Sequence, residues 1–312
     1  MADAPSNPGV DATLVTAINR VFYESEAASY DHRHPEVMKG DRSWWQKVGG
    51  EVLDGPRPRG GLNLLDVGSG TGMVMESLAE FLRPGDRFHS IELSPSMLAR
   101  TRAKWAGRAI AFQPVYINGQ AGELPFANAS MDLVTMNALL HHLFDPGALL
   151  AEVDRVLKPG GRVFMCHEPN KRFFQSPLLR GLATLYKVAG GGIETPGADI
   201  CQRVNRELTA QGLIRQPLTE EEIHRLVEYH SPVERHRYGV SADAGFDPDE
   251  LARSHFPAYR VVEVDEFTTF FHRPSLERHP WVGRSLEFLW QLLLRHGNHF
   301  RLALAKPGGL PA

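Results

Sequence analysis

Apolar residues follow two spacings along the chain, and the alternation between these spacings predicts an α/β protein. Short continuous apolar runs are typical of buried strands, whereas apolar residues three or four positions apart are typical of one face of a helix. Leu62–Val67 is such a run, and helical spacing begins at Met73. Glycines at alternate positions lie between them, so the local order is strand, glycine turn, helix. This order is typical of the start of a doubly wound sheet, at the point where such a sheet binds a nucleotide-like ligand.

The glycine turn narrows the range of ligands. Its glycines are Gly68, Gly70 and Gly72, whereas a dinucleotide fingerprint places its third glycine where this chain has Met73. Asp66 precedes the turn, and a carboxylate there would repel a pyrophosphate but suits an ammonium group. The pattern Asp-x-Gly-x-Gly-x-Gly resembles motif I of the class I S-adenosylmethionine-dependent methyltransferases.

Two later segments resemble the same family. Glu92 lies 20 positions after Gly72, at the predicted tip of the second strand, where a carboxylate can accept hydrogen bonds from both hydroxyls of a ribose. Ile91–Leu98 resembles the family's I-D-x-S-x-x-M-L run. In Gly119–Phe126 the family has an aspartate that contacts the adenine amino group. This chain has Gln120 there, and its side-chain carbonyl can accept the same hydrogen bond.

The most specific resemblance runs from Asp132 to Arg162, through Leu-His-His-Leu-x-Asp-Pro and Glu-Val-x-Arg-Val-Leu-Lys-Pro-Gly-Gly-Arg. With the earlier motifs it covers roughly Val21 to Glu168 and resembles the ubiquinone/menaquinone-type and small-molecule, natural-product methyltransferases. The resemblance implies a Rossmann-like, doubly wound, seven-stranded sheet, mostly parallel with an antiparallel last strand. The predicted strands are Leu62–Val67, Phe88–Leu93, Ile110–Ile117, Met131–Asn137, Arg162–His167, Tyr259–Phe267 and Phe300–Ala305.

The implied cofactor is S-adenosylmethionine, with S-adenosylhomocysteine as product. In the family an N-terminal tyrosine closes over the cofactor, which implies this role for Tyr30; alternatively, Tyr30 covers one edge of the sheet. The residues predicted to bind the cofactor are Tyr30, Asp66, Gly68, Ser69, Gly70, Gly72, Glu92, Leu93, Met97, Gln120, Ala121 and Asn137.

The chain is predicted to divide into four parts. Residues 1–50 form an N-terminal helical cap, 51–169 the cofactor-binding core, 170–258 a helical lid and 259–312 the C-terminal strands with an inserted helix. The lid is predicted to hold helices at Leu178–Ala189, Asp199–Ala210 and Glu220–Tyr229, and the C-terminal part a helix at Trp281–His296. Such an insertion is expected to build the acceptor pocket, because the sheet's carboxyl edge offers the cofactor half.

Methyl transfer from a sulfonium needs an aligned nucleophile and, for an acceptor of high pKa, a base. Histidine is the natural proton acceptor near neutral pH. His141, His142 and His167 follow the fourth and fifth strands, so they are the predicted catalytic residues, and no metal is expected. Catalysis by proximity alone is the alternative. The acceptor is predicted to be an oxygen, less favourably a nitrogen or carbon, of a small or medium hydrophobic metabolite such as a natural product or a quinone- or lipid-like compound.

Bulk properties limit the partners further. The 312-residue chain has a formal net charge of −3 and no dominant basic stripe, so nucleic acid is not an expected partner. No run approaches the length of a membrane span, and we expect a cytoplasmic protein, with a homodimer left open. Two other functions are considered: a non-catalytic protein that binds S-adenosylmethionine or a nucleoside, and an NAD-linked oxidoreductase, which the glycine spacing disfavours.

Overall fold

The protein is described here from a computed structural model that covers residues 9–38, 40–179, 181, 197–230, 245–269, 281, 285, 288–290, 293–294 and 296–308. Within these residues seven strands form one sheet, in the order β3-β2-β1-β4-β5-β7-β6. The strands are β1 Asn63–Val67, β2 Arg87–Glu92, β3 Gln113–Asn118, β4 Met131–Asn137, β5 Leu157–Pro169, β6 Arg260–Phe267 and β7 His299–Ala305. Strand β7 runs antiparallel to β5 and β6, and the other neighbours are parallel. The predicted Rossmann-like sheet with an antiparallel last strand is confirmed.

Helices cover both faces of the sheet and its carboxyl edge. They are α1 Ala12–Glu26, α2 Tyr30–Arg33, α3 Pro35–Met38, α4 Arg42–Leu53, α5 Met73–Leu78, α6 Pro95–Trp105, α7 Pro146–Val156, α8 Lys171–Gln175, α9 Ala198–Ala210, α10 Glu220–Val227 and α11 Pro248–His255. Short 3-10 turns follow at Ala79–Phe81 and Leu140–His142. None of the helices within the described residues has the length and apolar character needed to cross a bilayer.

Side-chain caps fix where several helices begin. The Asp11 carboxylate accepts the N–H of Leu14 at the start of α1, and Asp145 accepts two backbone N–H groups at the start of α7. At α10, Thr219 and Glu222 form a reciprocal capping box. Each cap satisfies N–H groups that have no partner within the helix, which stabilises the helix start by about 1 kcal/mol. The starts of these three helices therefore follow from local chemistry.

The largest departure from the predicted strands is in β5, which begins at Leu157 rather than Arg162 and so includes Gly160 and Gly161. Its register against β4 shifts between Met131 and Leu133, so residues 158–161 form a bulge in the pairing. Gly161 accepts a hydrogen bond from the N–H of Lys306, and Gly160 donates one to Pro307. The residues just after β7 thus supply hydrogen-bond partners for this bulge, and these partners are distant from it in sequence.

Other boundaries differ by a few residues. β3 begins at Gln113 rather than Ile110, α4 extends past the predicted boundary at residue 50, and α11 was not predicted. The helices predicted at Leu178–Ala189 and Trp281–His296 fall largely outside the described residues. The division into four parts stays a prediction.

Among the described residues, two apolar layers pack against the sheet, a third cluster lies apart from them, and a small fourth cluster surrounds Phe173 and Phe174. That third cluster joins α1 to α9 and α10, with Ile18, Val204 and Ile223 completely buried in it. The N-terminal helix therefore packs on the helical insertion, which we define as residues 170–258. This contact determines which side chains face the carboxyl edge of the sheet.

Candidate functional site

A cavity of about 260 Å³ lies at the carboxyl ends of β1, β2 and β4, beneath α1. We call it the main cavity. Its walls come from the glycine turn, the tip of β2, the loops after β3 and β4, and one face of α1. The predicted residues that line it are Tyr30, Gly68, Gly70, Glu92, Leu93, Met97, Gln120, Ala121, Asn137 and His142.

A side pocket of about 30 Å³ adjoins the main cavity and shares Tyr30, Gly68, Gly70 and Asn137 with it. Asp66 and Ser69 line the side pocket. The Ser69 hydroxyl is buried without a hydrogen-bond partner among the described residues. Two polar side chains at one end of the site are therefore available to a polar ligand group.

Asp66 is the most unusual of these groups. Its side chain is 1% exposed, its Oδ1 accepts the Thr135 hydroxyl at 2.8 Å, and its Oδ2 has no partner among the residues that the structure describes. Burial raises its pKa to about 7, with a smaller contribution from Glu92. A buried carboxylate oxygen without a partner costs free energy, and a ligand ammonium would remove that cost.

Glu92 lines the main cavity at the tip of β2. Its carboxylate accepts the backbone N–H of Gly70 at 2.9 Å and that of Ser94 at 2.8 Å. Burial raises its pKa despite these hydrogen bonds. Each carboxylate oxygen has a second lone pair, so both remain able to accept ligand hydroxyls. Glu92 thus links the glycine turn to the tip of β2.

The glycines of the turn have different tasks. A Cβ at Gly70 would meet nothing within 4 Å, so its open side faces the site. A Cβ at Gly72 would lie 2.6 Å from Thr101 Cγ2. Gly72 lines neither the main cavity nor the side pocket, and its lack of a side chain lets α6 pack against the turn. Its contact with the cofactor stays a prediction.

Asn137 is held by a residue from the N-terminal cap. Its Oδ1 accepts the indole N–H of Trp45 at 2.9 Å, and Trp45 is completely buried. This contact orients the carboxamide, so its NH2 group is the part turned away from Trp45. Trp45 of the N-terminal part thus orients Asn137, a residue predicted to bind the cofactor.

The three predicted catalytic histidines occupy different places, and only His142 lines the main cavity. His142 Nδ1 lies 2.8 Å from the Val227 carbonyl oxygen, to which it can only donate. The neutral ring then accepts at Nε2, and the Tyr23 hydroxyl donates to it at 2.9 Å. Burial and the neighbouring His141 lower the pKa of His142 well below its usual range, so the ring is neutral near pH 7.

His141 and His167 lie behind the cavity walls, and a catalytic role for either stays a prediction. His141 Nδ1 donates to Glu168 at 2.8 Å, and His167 Nδ1 pairs with Asp41 at 2.8 Å. Both rings are buried, and neither lines the main cavity or the side pocket. Their partners come from β5 and from the cap, contacts that sequence spacing does not indicate.

The chain is similar to known proteins in sequence and in fold. Residues 65–165 match a family described as a methyltransferase domain. The chain is 30% identical over 174 residues to the ubiquinone/menaquinone biosynthesis C-methyltransferase UbiE of Vibrio parahaemolyticus, covering 55% of this chain and 62% of that protein. It is 31% identical over 167 residues to the demethylmenaquinone methyltransferase of Tropheryma whipplei, covering 53% and 65%. The chain contains a methyltransferase domain at residues 65–165.

A solved structure agrees with this domain in fold. Phosphoethanolamine N-methyltransferase 1 of Haemonchus contortus, in complex with phosphoethanolamine and S-adenosylhomocysteine, superposes with a TM-score of 0.52 at 13% identity, covering 97% of this chain and 51% of that one. The chain thus spans less than two thirds of each of these relatives. The cofactor of the methyltransferase domain is S-adenosylmethionine.

The residues present fit this cofactor. S-adenosylmethionine carries an ammonium group, a ribose and an adenine, and the unpartnered Asp66 oxygen is a suitable acceptor for the first of these. Glu92 lies where a ribose can reach it, and Gln120 and Ala121 line the wall beyond. This fit rests on the donor and acceptor chemistry of the site.

Sequence reasoning missed the contribution of α1 to the methyltransferase cavity. Ala12, Thr16, Asn19 and Tyr23 line its roof. They recur at spacings of four, three and four along the helix, which places them on one face. These four residues form a second stripe on α1, beside the apolar stripe that packs on the helical insertion. Their spacing was the signal in the sequence that α1 has two contact faces.

His141, His142 and Glu228 bring one ligand atom each within 4.8 Å of one another. Such a set resembles a metal site in composition. However, His142 has partners on both ring nitrogens and His141 on Nδ1. Binding a metal through His142 would require displacing Tyr23 or the Val227 carbonyl, so we assign no metal to this group.

Proposed function

We propose that the protein transfers a methyl group from S-adenosylmethionine to a hydroxylated aromatic acceptor, and that Tyr23 and His142 remove the hydroxyl proton. The observation that carries this proposal is the Tyr23–His142 hydrogen bond in the wall of the main cavity. It lies in the same cavity as the predicted cofactor residues. A hydroxyl nucleophile needs a proton acceptor within hydrogen-bond reach.

The cofactor supplies an electrophilic methyl group on a sulfonium. In this proposal Asp66 binds the ammonium group, Glu92 accepts the ribose hydroxyls, and Gln120 with Ala121 contacts the adenine. The glycine turn admits the ligand at Gly70, and Tyr30 borders both the main cavity and the side pocket. These groups hold the donor in one orientation, which is the main requirement of an in-line displacement.

Proton removal follows from the hydrogen-bond directions. Tyr23 donates to His142 Nε2, so its oxygen keeps lone pairs for an acceptor hydroxyl. The acceptor proton passes to the Tyr23 oxygen while the proton of Tyr23 passes to His142 Nε2. Burial, then Glu228, raise the pKa of Tyr23 well above its usual range, so tyrosine stays neutral and acts as a relay.

The lining of the main cavity indicates the acceptor's chemical class. Leu139, Leu143, Phe144 and Ala148 are apolar, and no lysine or arginine lies among the described residues that line it. A phosphate or carboxylate group would find no cationic partner there. The acceptor is therefore an uncharged, largely apolar ring with a hydroxyl group.

The atom methylated follows from where the acceptor lies against the donor. An ionised ring hydroxyl makes both its oxygen and the neighbouring ring carbon nucleophilic. Our sequence-based prediction is the oxygen. Carbon is the second candidate, and the name of the Vibrio relative, a C-methyltransferase, favours it.

Methyl-labelled S-adenosylmethionine with 1,4-dihydroxynaphthalene, kept reduced, tests the proposal. We expect labelled product from the wild type, with NMR of the product identifying O- or C-methylation. Tyr23→Phe should lower kcat by roughly 10²-fold, because the relay loses its hydroxyl, with little change in cofactor affinity. Tight cofactor binding without label transfer to this or related phenols would instead favour a non-catalytic binding protein.

A further inference from the structure

Behind the cavity wall, His141 lies between two carboxylates. Glu168, completely buried, accepts the backbone N–H groups of Leu139 and Leu140 and the Nδ1–H of His141. On the other side of the ring, Glu228 Oε2 lies 3.5 Å from His141 Nε2. A buried imidazole flanked by two carboxylates is stabilised in its protonated form.

His142 lies directly beside this group but has neutral hydrogen-bond partners. The two rings are 4.1 Å apart between centroids. Tyr23 from α1 and the Val227 carbonyl from the end of α10 occupy the nitrogens of His142, and Glu228 Oε1 lies 3.9 Å from its Nδ1. The two rings therefore differ in their surroundings: carboxylates flank His141, whereas a tyrosine hydroxyl and a backbone carbonyl hold His142.

We propose that the end of α10 is a positioning part of the proton-accepting site, in which the Val227 carbonyl fixes the tautomer of His142 and the Glu228 carboxylate compensates the proton that His142 receives. This inference rests on the proposed function. Val227 and Glu228 belong to the helical insertion, so a segment expected to form the acceptor pocket also contributes to proton transfer.

A charge count supports this assignment. With Glu168 and Glu228 ionised, a protonated His141 beside a neutral His142 leaves this cluster with one net negative charge. One proton on His142 brings the total to zero. Because opposite charges interact more strongly in a buried site than in water, this cluster is suited to take up a single proton.

The surrounding charged groups agree with this arrangement. Burial alone would lower the pKa of His141, but Glu168 and Glu228 outweigh it and raise that pKa. Around His142, burial and His141 lower the pKa, the Val227 carbonyl raises it, and His34, near the end of α2, lowers it slightly. The two rings interact, so they titrate as a pair.

Glu228→Gln tests the proposal, with Glu221→Gln as the matched control on α10, where Glu221 pairs with Arg225 on the surface. We expect kcat of Glu228→Gln to fall by roughly tenfold, because the proton on His142 loses a compensating charge. The acid limb of the kcat profile should move to lower pH, since removing a negative charge lowers both imidazole pKa values. The affinity for S-adenosylmethionine should stay unchanged, which also shows that the variant folds, and Glu228→Asp should recover part of kcat. A pH profile and kcat equal to those of the control would overturn the proposal.

Imidazole ¹⁵N NMR of the cofactor-bound protein provides a test that needs no acceptor. At pH 7 we expect a doubly protonated His141 and a neutral His142 with its proton on Nδ1. In Glu228→Gln the protonated fraction of His141 should fall. A His142 protonated on Nε2, or a neutral His141 in the wild type, would contradict the inference. Expected spectra together with no methyl transfer by the wild type would count against the proposed function alone.

Discussion

The two sides of the main cavity are built in different ways. The cofactor side comes from Asp66 to Asn137, a stretch in which each strand and the loop after it place residues at the same edge of the sheet. The proposed acceptor side combines Tyr23 from α1 with His142 from the turn after β4, and the Val227 carbonyl at the end of α10 holds His142 in place. The first side is local in sequence, whereas the second exists only when distant helices pack together. Cofactor residues can therefore be recognised by motif, and acceptor residues require the tertiary structure.

Removing the Asp66 carboxylate should produce the largest effect on the cofactor side. Asp66→Asn should weaken S-adenosylmethionine binding by roughly 100-fold, because the ligand ammonium loses a buried charged partner. Isothermal titration calorimetry measures this, with Asp54→Asn, an exposed aspartate paired with Arg83, as the control. Equal affinities of the two variants would show that Asp66 does not bind the ammonium group.

The raised pKa of Asp66 predicts a pH dependence of the same interaction. Below pH 7, where its pKa lies without cofactor, Asp66 is increasingly protonated and the affinity should fall by about tenfold per pH unit. In the folded protein the pKa of Asp66 lies above the ordinary aspartate value of 3.8. The contribution of this group to folding stability therefore decreases as pH rises from 3.8 to about 7. Titrations between pH 5.5 and 8.5 test the binding prediction, and a flat affinity would contradict it.

The two glycines Gly70 and Gly72 should separate binding from folding within a single turn. Gly72→Ala would place a Cβ against Thr101 at a φ of +87°, which should lower the free energy of unfolding by about 1–3 kcal/mol. At Gly70 an added Cβ meets nothing within 4 Å, and the φ of +53° alone adds strain, about 1 kcal/mol. Gly70→Ala should therefore mainly weaken cofactor binding, by roughly tenfold. Thermal unfolding and titration of both variants measure the two effects; the same effects in both variants would remove the distinction.

Trp45→Phe should have the smallest effect, because it keeps most of the buried ring and removes the hydrogen bond to Asn137. One neutral hydrogen bond contributes about 1 kcal/mol, so we expect cofactor affinity to fall about three- to fivefold. Trp44→Phe on the same helix is the control, since its indole N–H has no partner among the described residues. A larger loss in the control would assign the effect to packing instead.

The sequence was sufficient for the parts of the protein that depend on local chemistry. The mostly parallel sheet with its antiparallel last strand, the helix that begins at Glu220 and the position of Glu92 at the tip of β2 follow from spacing and resemblance. Each involves neighbours in sequence or a repeated family pattern. The separate roles of Gly70 and Gly72 did not follow, because the difference lies in which of them approaches Thr101 on α6.

The histidines show the same limit on the acceptor side. Three were predicted from their positions after β4 and β5, but the fold brings only His142 to the main cavity. His141 turns to Glu168 and His167 to Asp41. Whether a side chain at a strand end faces the cavity or the interior depends on the partners that tertiary packing supplies, and one sequence does not list these partners.

The most direct test of the account compares wild type with His142→Gln in methyl transfer from labelled S-adenosylmethionine to 1,4-dihydroxynaphthalene at pH 7.5, with cofactor affinity measured on the same samples. The account predicts label in the product for the wild type and a kcat lowered by about 10²- to 10³-fold in the variant, with cofactor affinity within about threefold of the wild type. Equal kcat values at equal cofactor affinity would contradict the assignment of His142 as the proton acceptor.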